Sequence, residues 1–369
     1  MSAAQWRRAM NAGAGRQAFG AEARGTGNPA AAQGSGRWRV TLEARHLLVL
    51  AAVLIYPWAA SPFLTFQIGA QALALGLIAL SLTFLGGYGG MVSLAQMTVA
   101  GIAGYMLAIF GTSGEAAHSL GWPWWIAVPL AIGIAIIAGT FIGWLSVRTE
   151  GIYTIMITLA MGTGFYYLCL QNYSVFNGFQ GFQRVYAPTI LGVNLREPVW
   201  FYHLALACAL GGYCLIKWLL RTPFGIALQG IRDNPRRMNA LGFHVTAHRV
   251  AAYAVAGALA AAGGILFTWY NGLITPNSVG TSWLINLLII AVLGGMRHPL
   301  GPFIGAIVFV LLQTFAIDLF DRERFNLVIG TVFLAIVLFS PDGLLGIWAA
   351  LKSSVSRRSI LSTREGEVK

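Results

Sequence analysis

Long apolar runs separated by short polar breaks make up most of this chain. They fall at about 47–66, 68–85, 92–111, 124–147, 152–174, 199–220, 250–270, 283–296, 300–320 and 326–346. A helix needs roughly 20 apolar residues to cross the hydrocarbon core of a bilayer. The pattern therefore predicts an all-α polytopic membrane protein with about ten transmembrane helices. Two runs are imperfect: Pro57 and Pro62 interrupt the first, and the eighth is short and ends at Gly294-Gly295.

Composition narrows the class. The chain has 369 residues, of which 57% are hydrophobic and 10% charged, against about 25% charged in an ordinary soluble domain. Mean hydropathy is +0.69. These values exclude a soluble globular protein, a disordered chain, a collagen and a disulfide scaffold. The 45 glycines are spread through the spans. Gly139/Gly143, Gly301/Gly305, Gly101/Gly104 and Gly263/Gly264 fit the small-residue spacing that lets helix backbones approach closely.

Charge predicts the topology. The net charge is +12, and the two tails hold most of it. Residues 1–45 carry seven Arg and two Glu, and residues 347–369 carry five Lys or Arg and two Glu. With the N-terminus inside, 20 of the 24 Lys and Arg face the cytoplasm, as the positive-inside rule requires. An even number of spans puts both termini there. Nucleic-acid binding is a poor account of charge that flanks apolar spans. The expected organisation is a flexible cytoplasmic extension over 1–45, a transmembrane domain over 46–346 and a cytoplasmic tail over 347–369. Residues 1–45 do not read as a cleaved signal peptide, because the first apolar run begins only near Leu47.

Several chemistries are missing. Ion-coupled carriers place Asp, Glu or His within a span, and here Glu150, His203 and Asp318 fall only at span boundaries. Neutral polar residues such as Ser93, Gln96, Thr98, Thr154, Thr158, Asn286 and Gln313 occupy the spans instead. No phosphate-binding Gly-x-x-x-x-Gly-Lys-Ser/Thr loop, zinc-binding His pair or nucleophile elbow is present. Neither an enzyme nor a self-powered pump is expected, and no cofactor or metal ion is expected on this chain. Cys169, Cys208 and Cys214 lie in apolar stretches without ligand spacing and read as inert buried thiols.

One polar stretch is highly structured by sequence. In 221–249, Thr222-Pro223 supplies an N-cap followed by proline at the first helical position. Phe224, Ala227, Leu228 and Ile231 then form one apolar face. Asn234-Pro235 repeats the start signal for a second short helix that ends at Gly242, with Arg232, Asp233, Arg236 and Arg237 at the turn between the two. Such a hairpin suits either a bilayer surface or a docked cytoplasmic protein.

Five ordered segments carry a resemblance to a known family. They are GGYGGMVSLAQMTVAGIAGYMLAIF (86–110), TEGIYTIMITLAMGTGFYYL (149–168), the loop 221–242, AVLGGMRHPLGPFIGA (291–306) and FSPDGLLG (339–346). Together they resemble the LivM-type permeases of branched-chain amino-acid ABC importers over roughly 47–346. The resemblance implies a bundle of the type II-like importer kind in a bacterial inner membrane. The partners it implies are a second, LivH-type permease, two cytoplasmic ATPases that use the ATP, and a substrate-binding protein on the far side. It also implies that 221–249 is the ATPase-coupling loop, with Phe224, Gly225, Leu228, Ile231, Arg232, Ala240, Leu241 and Gly242 at the matching positions. The chain departs from the family in having Asn234 to Asn239 where many members are acidic. Ser93, Gln96 and Thr158, which lie in matched segments, are the expected substrate-pathway residues. The same machine could carry urea, short amides or aromatic acids, and a passive channel for a small neutral solute is the reading from another class.

Overall fold

The computed structural model describes residues 44–319 apart from 116, 117, 150 and 191, and beyond 319 only residues 330, 331, 333, 334, 338 and 343–346. Contacts divide the chain into Met1–Ala51 and Ala52–Lys369. Of the first unit only helical residues 44–51 are described. Most of the expected N-terminal extension, the C-terminal tail and most of the tenth apolar run lie outside the described residues.

The apolar runs become helices. They are α1 (Ala44–Ala59), α2 (Leu64–Tyr88), α3 (Gln96–Phe110), α4 (Trp124–Ser146), α5 (Ile152–Gln171), α7 (Pro198–Leu219), α10 (Val245–Asn271), α11 (Thr281–Gly294) and α12 (Gly301–Leu319). Among the described residues, α2, α4, α5, α7 and α10 are long and apolar enough to cross a membrane, whereas α3 and α11 are shorter apolar helices. The break between the first two runs comes earlier than expected. Ser61-Pro62 ends α1, and α2 starts at Leu64, because the ring of Pro62 cannot continue the helical hydrogen bonds. The run from 92 also starts its helix late. Ser93 and Leu94 precede α3, so the expected Ser-Leu-x-Gln helix begins only at Gln96.

In the Ala52–Lys369 unit, α2 and α10 form the centre. Of the apolar window of α2, 89% is buried. Helices α3 and α4 pack on α10, and α12 and α11 pack on α2. The glycines permit this closeness: a Cβ at Gly264 would run into the Ala100 backbone, and one at Gly305 into the backbones of Ile290 and Gly294. Gly139 meets the Gly257 backbone of α10, and Gly143 receives the Tyr253 side chain. Direct backbone contact increases dispersion attraction where lipid leaves little hydrophobic drive between helices.

Two polar regions cap the bundle. At one end, the connection from α5 to α7 contains the one-turn α6 (Tyr173–Phe176) and strands β1 (Phe182–Gln183), β2 (Thr189–Ile190) and β3 (Val193–Asn194). Strand β1 pairs antiparallel with β4 (Leu273–Ile274), matching Phe182 to Ile274, and β2 pairs with β3. These two-residue ladders qualify the all-α expectation. At the other end lie α8 (Pro223–Asp233) and α9 (Pro235–Ala240). The cysteines differ from one another: Cys169 is buried, Cys208 half-buried and Cys214 exposed on α7. Cys214 therefore departs from the expected buried thiol.

Candidate functional site

The helix pair in 221–249 forms as its caps dictate. Thr222 Oγ1 accepts the Gly225 N–H at 3.4 Å, and Asn234 Oδ1 accepts the Arg237 N–H at 2.9 Å. Each satisfies one of the donors that a helix start leaves open. The pair stops at Gly242, whose φ of +89° suits glycine. Gly230 leaves room for Met238 to fold α9 back on α8.

The two faces of this element have different surroundings. Leu228 and Ile231 have 0% exposure, Ala227 and Gly225 are buried, and Phe224 is half-buried. The side chains of Phe224, Ala227, Leu228 and Ile231 turn toward the chain's own core. Leu228 reaches Gly89, and Gly225 lies so close to Leu219 and Leu220 that no Cβ would fit. Phe224 also stacks on His248 with 5.7 Å between ring centroids and 11° between planes. The outer face presents Ile226, Leu241, Phe243, Arg236, Arg237, Ala240 and Gly242, all exposed. Thus Phe224, Gly225, Leu228 and Ile231 anchor the element, whereas Ala240, Leu241 and Gly242 remain open to a partner.

The glycine motif at the end of α2 is the seat for this element. Arg232 donates through Nη1 to the Gly87 carbonyl at 2.7 Å and pairs with Asp233 at 2.9 Å. Its stem lies where a Cβ on Gly90 would stand, and Gly90 adopts φ +68°. Tyr88 donates to the Arg297 carbonyl at 3.0 Å, and Gly87 abuts the Met296 carbonyl. The Gly86-Gly87-Tyr88-Gly89-Gly90 turn thus ties α8 to the 295–300 turn between α11 and α12. In that turn His298 Nδ1 accepts the Leu300 N–H at 3.2 Å. Burial, and then the nearby Lys217 charge, push the His298 pKa below the usual histidine value, which disfavours the charged ring. Gly87, Tyr88 and Gly90 were legible as a motif, but the sequence did not indicate that they receive Arg232.

Ser93, Gln96 and Thr158 do come together, but in a sealed seam. Their exposures are 0%, 1% and 0%. Thr158 Oγ1 donates to the Thr154 carbonyl at 3.0 Å and accepts the Leu94 N–H at 3.1 Å. It thereby fastens the non-helical entry of α3 to α5. Gln96 Oε1 lies 3.1 Å from Ser81 Oγ, and Ser93 Oγ accepts the Ala95 N–H at 3.4 Å. Nearby polar groups consume these atoms, so none faces open space. Thr158→Ala should leave the buried Leu94 N–H unpaired, at a cost of about 1–3 kcal/mol. The expected result is a lower melting temperature in detergent, with little change in the preference among transported solutes.

Among the described residues no group of three His, Cys, Asp or Glu side chains could hold a metal ion.

Comparison with known proteins is consistent with a transport bundle of this kind. The family model described as "Branched-chain amino acid transport system / permease component" matches residues 64–337. The chain belongs to that family. It is 25% identical to the high-affinity branched-chain amino acid transport system permease protein LivM of Escherichia coli, over 83% of this chain and 76% of that protein. A probable LivM of Methanocaldococcus jannaschii is 25% identical over 58% of this chain and 67% of its own length. The autoinducer 2 import system permease protein LsrC of Salmonella choleraesuis is 27% identical over 72% of this chain and 74% of its own. No solved structure matches. The chain is thus a multi-pass membrane protein and a transport permease, and its relatives are permease components rather than catalysts.

Proposed function

We propose that this chain is the transmembrane subunit of an ATP-driven importer for branched-chain or related amino acids in a bacterial inner membrane. The 221–249 face and both termini lie in the cytoplasm. A LivH-type permease pairs with it, two ATPases bind on the cytoplasmic side with one of them seated on α8 and α9, and a substrate-binding protein delivers solute on the opposite side. ATP is used by the partner subunits, and the chain itself holds no cofactor.

One observation carries this reading: α8 and α9 are capped, anchored by Leu228 and Ile231, and locked to the glycine turn by Arg232. A hairpin resting on lipid would turn its apolar face to the bilayer. Here that face is spent on the chain's own core, and the outer face mixes Arg236 and Arg237 with Ile226, Leu241 and Phe243. Such a mixture suits a protein partner. The span to which the 86–90 turn belongs, α2, is also the most deeply buried, so motion applied at α8 has a rigid path into the bundle.

Amino-acid and autoinducer 2 importers both occur among the named relatives, so cargo is assigned by the partner that delivers it. The test is uptake by proteoliposomes holding both permeases, with and without the ATPase. Accumulation that requires ATPase and ATP is expected. Equal uptake without the ATPase would instead identify a passive channel.

A further inference from the structure

Helix α5 stands out among the long spans because only 22% of its apolar window is buried. Its inner face is Thr154, Thr158, Gly162 and Cys169, all buried. Its outer face is Tyr153, Met156, Ala160, Gly164, Tyr167 and Gln171, all exposed, with Thr163 beside it. A Cβ on Gly164 would meet nothing within 4 Å. Small exposed residues are not peculiar to α5, since α7 also exposes Ala207, Gly211 and Cys214. What distinguishes the α5 side is the polar pair Thr163 and Asn286, beside which the large exposed residues of other spans are apolar. Helix α4 exposes Ile137, Phe141 and Trp144, and α7 exposes Leu210, Leu215 and Trp218. Those are surfaces for lipid tails.

Helix α11 adjoins α5 at this level, because Leu284 fits against Gly162. The buried residues Leu284, Leu287, Ile290 and Ala291 define its inner face, which leaves Ser282, Ile285 and Asn286 outward. Thr163 and Asn286 are half-buried, and neither makes a hydrogen bond among the described residues. An amide and a hydroxyl without partners would each cost several kcal/mol in hydrocarbon. They need water or another polar surface outside the chain.

We infer that the α5–α11 outer face, centred on Thr163, Gly164 and Asn286, is this chain's wall of the solute pathway, facing the second permease subunit. This rests on the permease reading and replaces the sealed Ser93–Gln96–Thr158 seam as the surface that meets cargo. The chemistry of the wall defines the solute class. Hydroxyl and amide can hydrogen-bond a neutral or zwitterionic solute, Ala160 and Gly164 leave room for it, and none of the residues named on this face is charged.

The test uses the complete transporter in proteoliposomes, in a Cys214→Ser background. Thr163→Cys and Asn286→Cys are treated with a hydrophilic methanethiosulfonate, with Ile137→Cys on α4 as the lipid-facing control and Ile285→Cys in reserve if Asn286→Cys fails to assemble. Both pathway cysteines should react at least tenfold faster than Ile137→Cys, and trapping the ATPase with nucleotide should change their rates. Rates equal to that of Ile137→Cys in every nucleotide state would overturn the wall. ATP-dependent uptake in the same vesicles separates the two failures. Inert cysteines with intact uptake reject only this surface, whereas absent uptake in the parent transporter rejects the permease reading.

Discussion

Leu228→Asp is expected to dislodge the α8–α9 element from the bundle and to lower the stability of the chain by on the order of 4 kcal/mol or more. Leu228 has 0% exposure and sits against Gly89 at the end of α2. A carboxylate there loses its water and gains no cation, since the guanidinium of Arg232 is already paired with Asp233 and the Gly87 carbonyl. Large losses of stability follow from burying an unpaired charge. Leu228→Ala should cost less, roughly 2–5 kcal/mol, through the cavity it leaves. Thermal unfolding of the detergent-purified permease alone checks both. The loss must appear without any ATPase present. If L228D is stable alone and only fails to hold the ATPase, then Leu228 is a contact residue and not an anchor.

The opposite face gives the second large effect. Leu241→Asp, and separately Arg236→Glu with Arg237→Glu, should leave the stability of the permease within about 0.5 kcal/mol, as surface changes usually do. Leu241 is 65% exposed, and both arginines are exposed. On the proposed reading, each change should weaken ATPase retention roughly tenfold or more, because a hot-spot contact at the centre of an interface contributes about 2 kcal/mol or more. Co-purification through a tag on the permease, together with substrate-stimulated ATP hydrolysis, reads the effect. Unchanged retention in both variants would move the docking surface elsewhere. The pair of experiments therefore separates a residue that holds the lever from one that is pushed.

Much of the architecture was legible in local pattern. The apolar runs marked nine described helices because a membrane span needs length and hydropathy more than it needs any particular partner. The Thr222-Pro223 and Asn234-Pro235 signals located both short helices, since a cap is satisfied within three residues of itself. The glycine pairs marked close backbone approach, and the structure places Gly139, Gly263, Gly264 and Gly305 at such contacts, whereas Gly143 receives the Tyr253 side chain. The short strands were missed because a two-residue ladder such as Phe182 with Ile274 depends on a distant partner and leaves no period in the sequence.

The direction of each side chain was decided elsewhere. Periodicity identified one apolar face on α8, but an amphipathic face is the same pattern whether it meets its own chain, a lipid surface or another protein. Only the packing of α8 on the glycine turn turned Leu228 and Ile231 inward and left Ile226 and Leu241 outward. In the spans the ambiguity is greater, because nearly every position is apolar and a hydroxyl can bond across a helix interface or line a path. Thr158 and Thr163 lie on the same helix, five residues apart. The sequence by itself determined that this is a charge-poor, glycine-packed membrane permease with a capped helix pair at one end. Tertiary structure alone decided that Thr158 is consumed by the Leu94 amide and Thr163 is not, since hydrogen-bond satisfaction depends on neighbours brought from elsewhere in the chain.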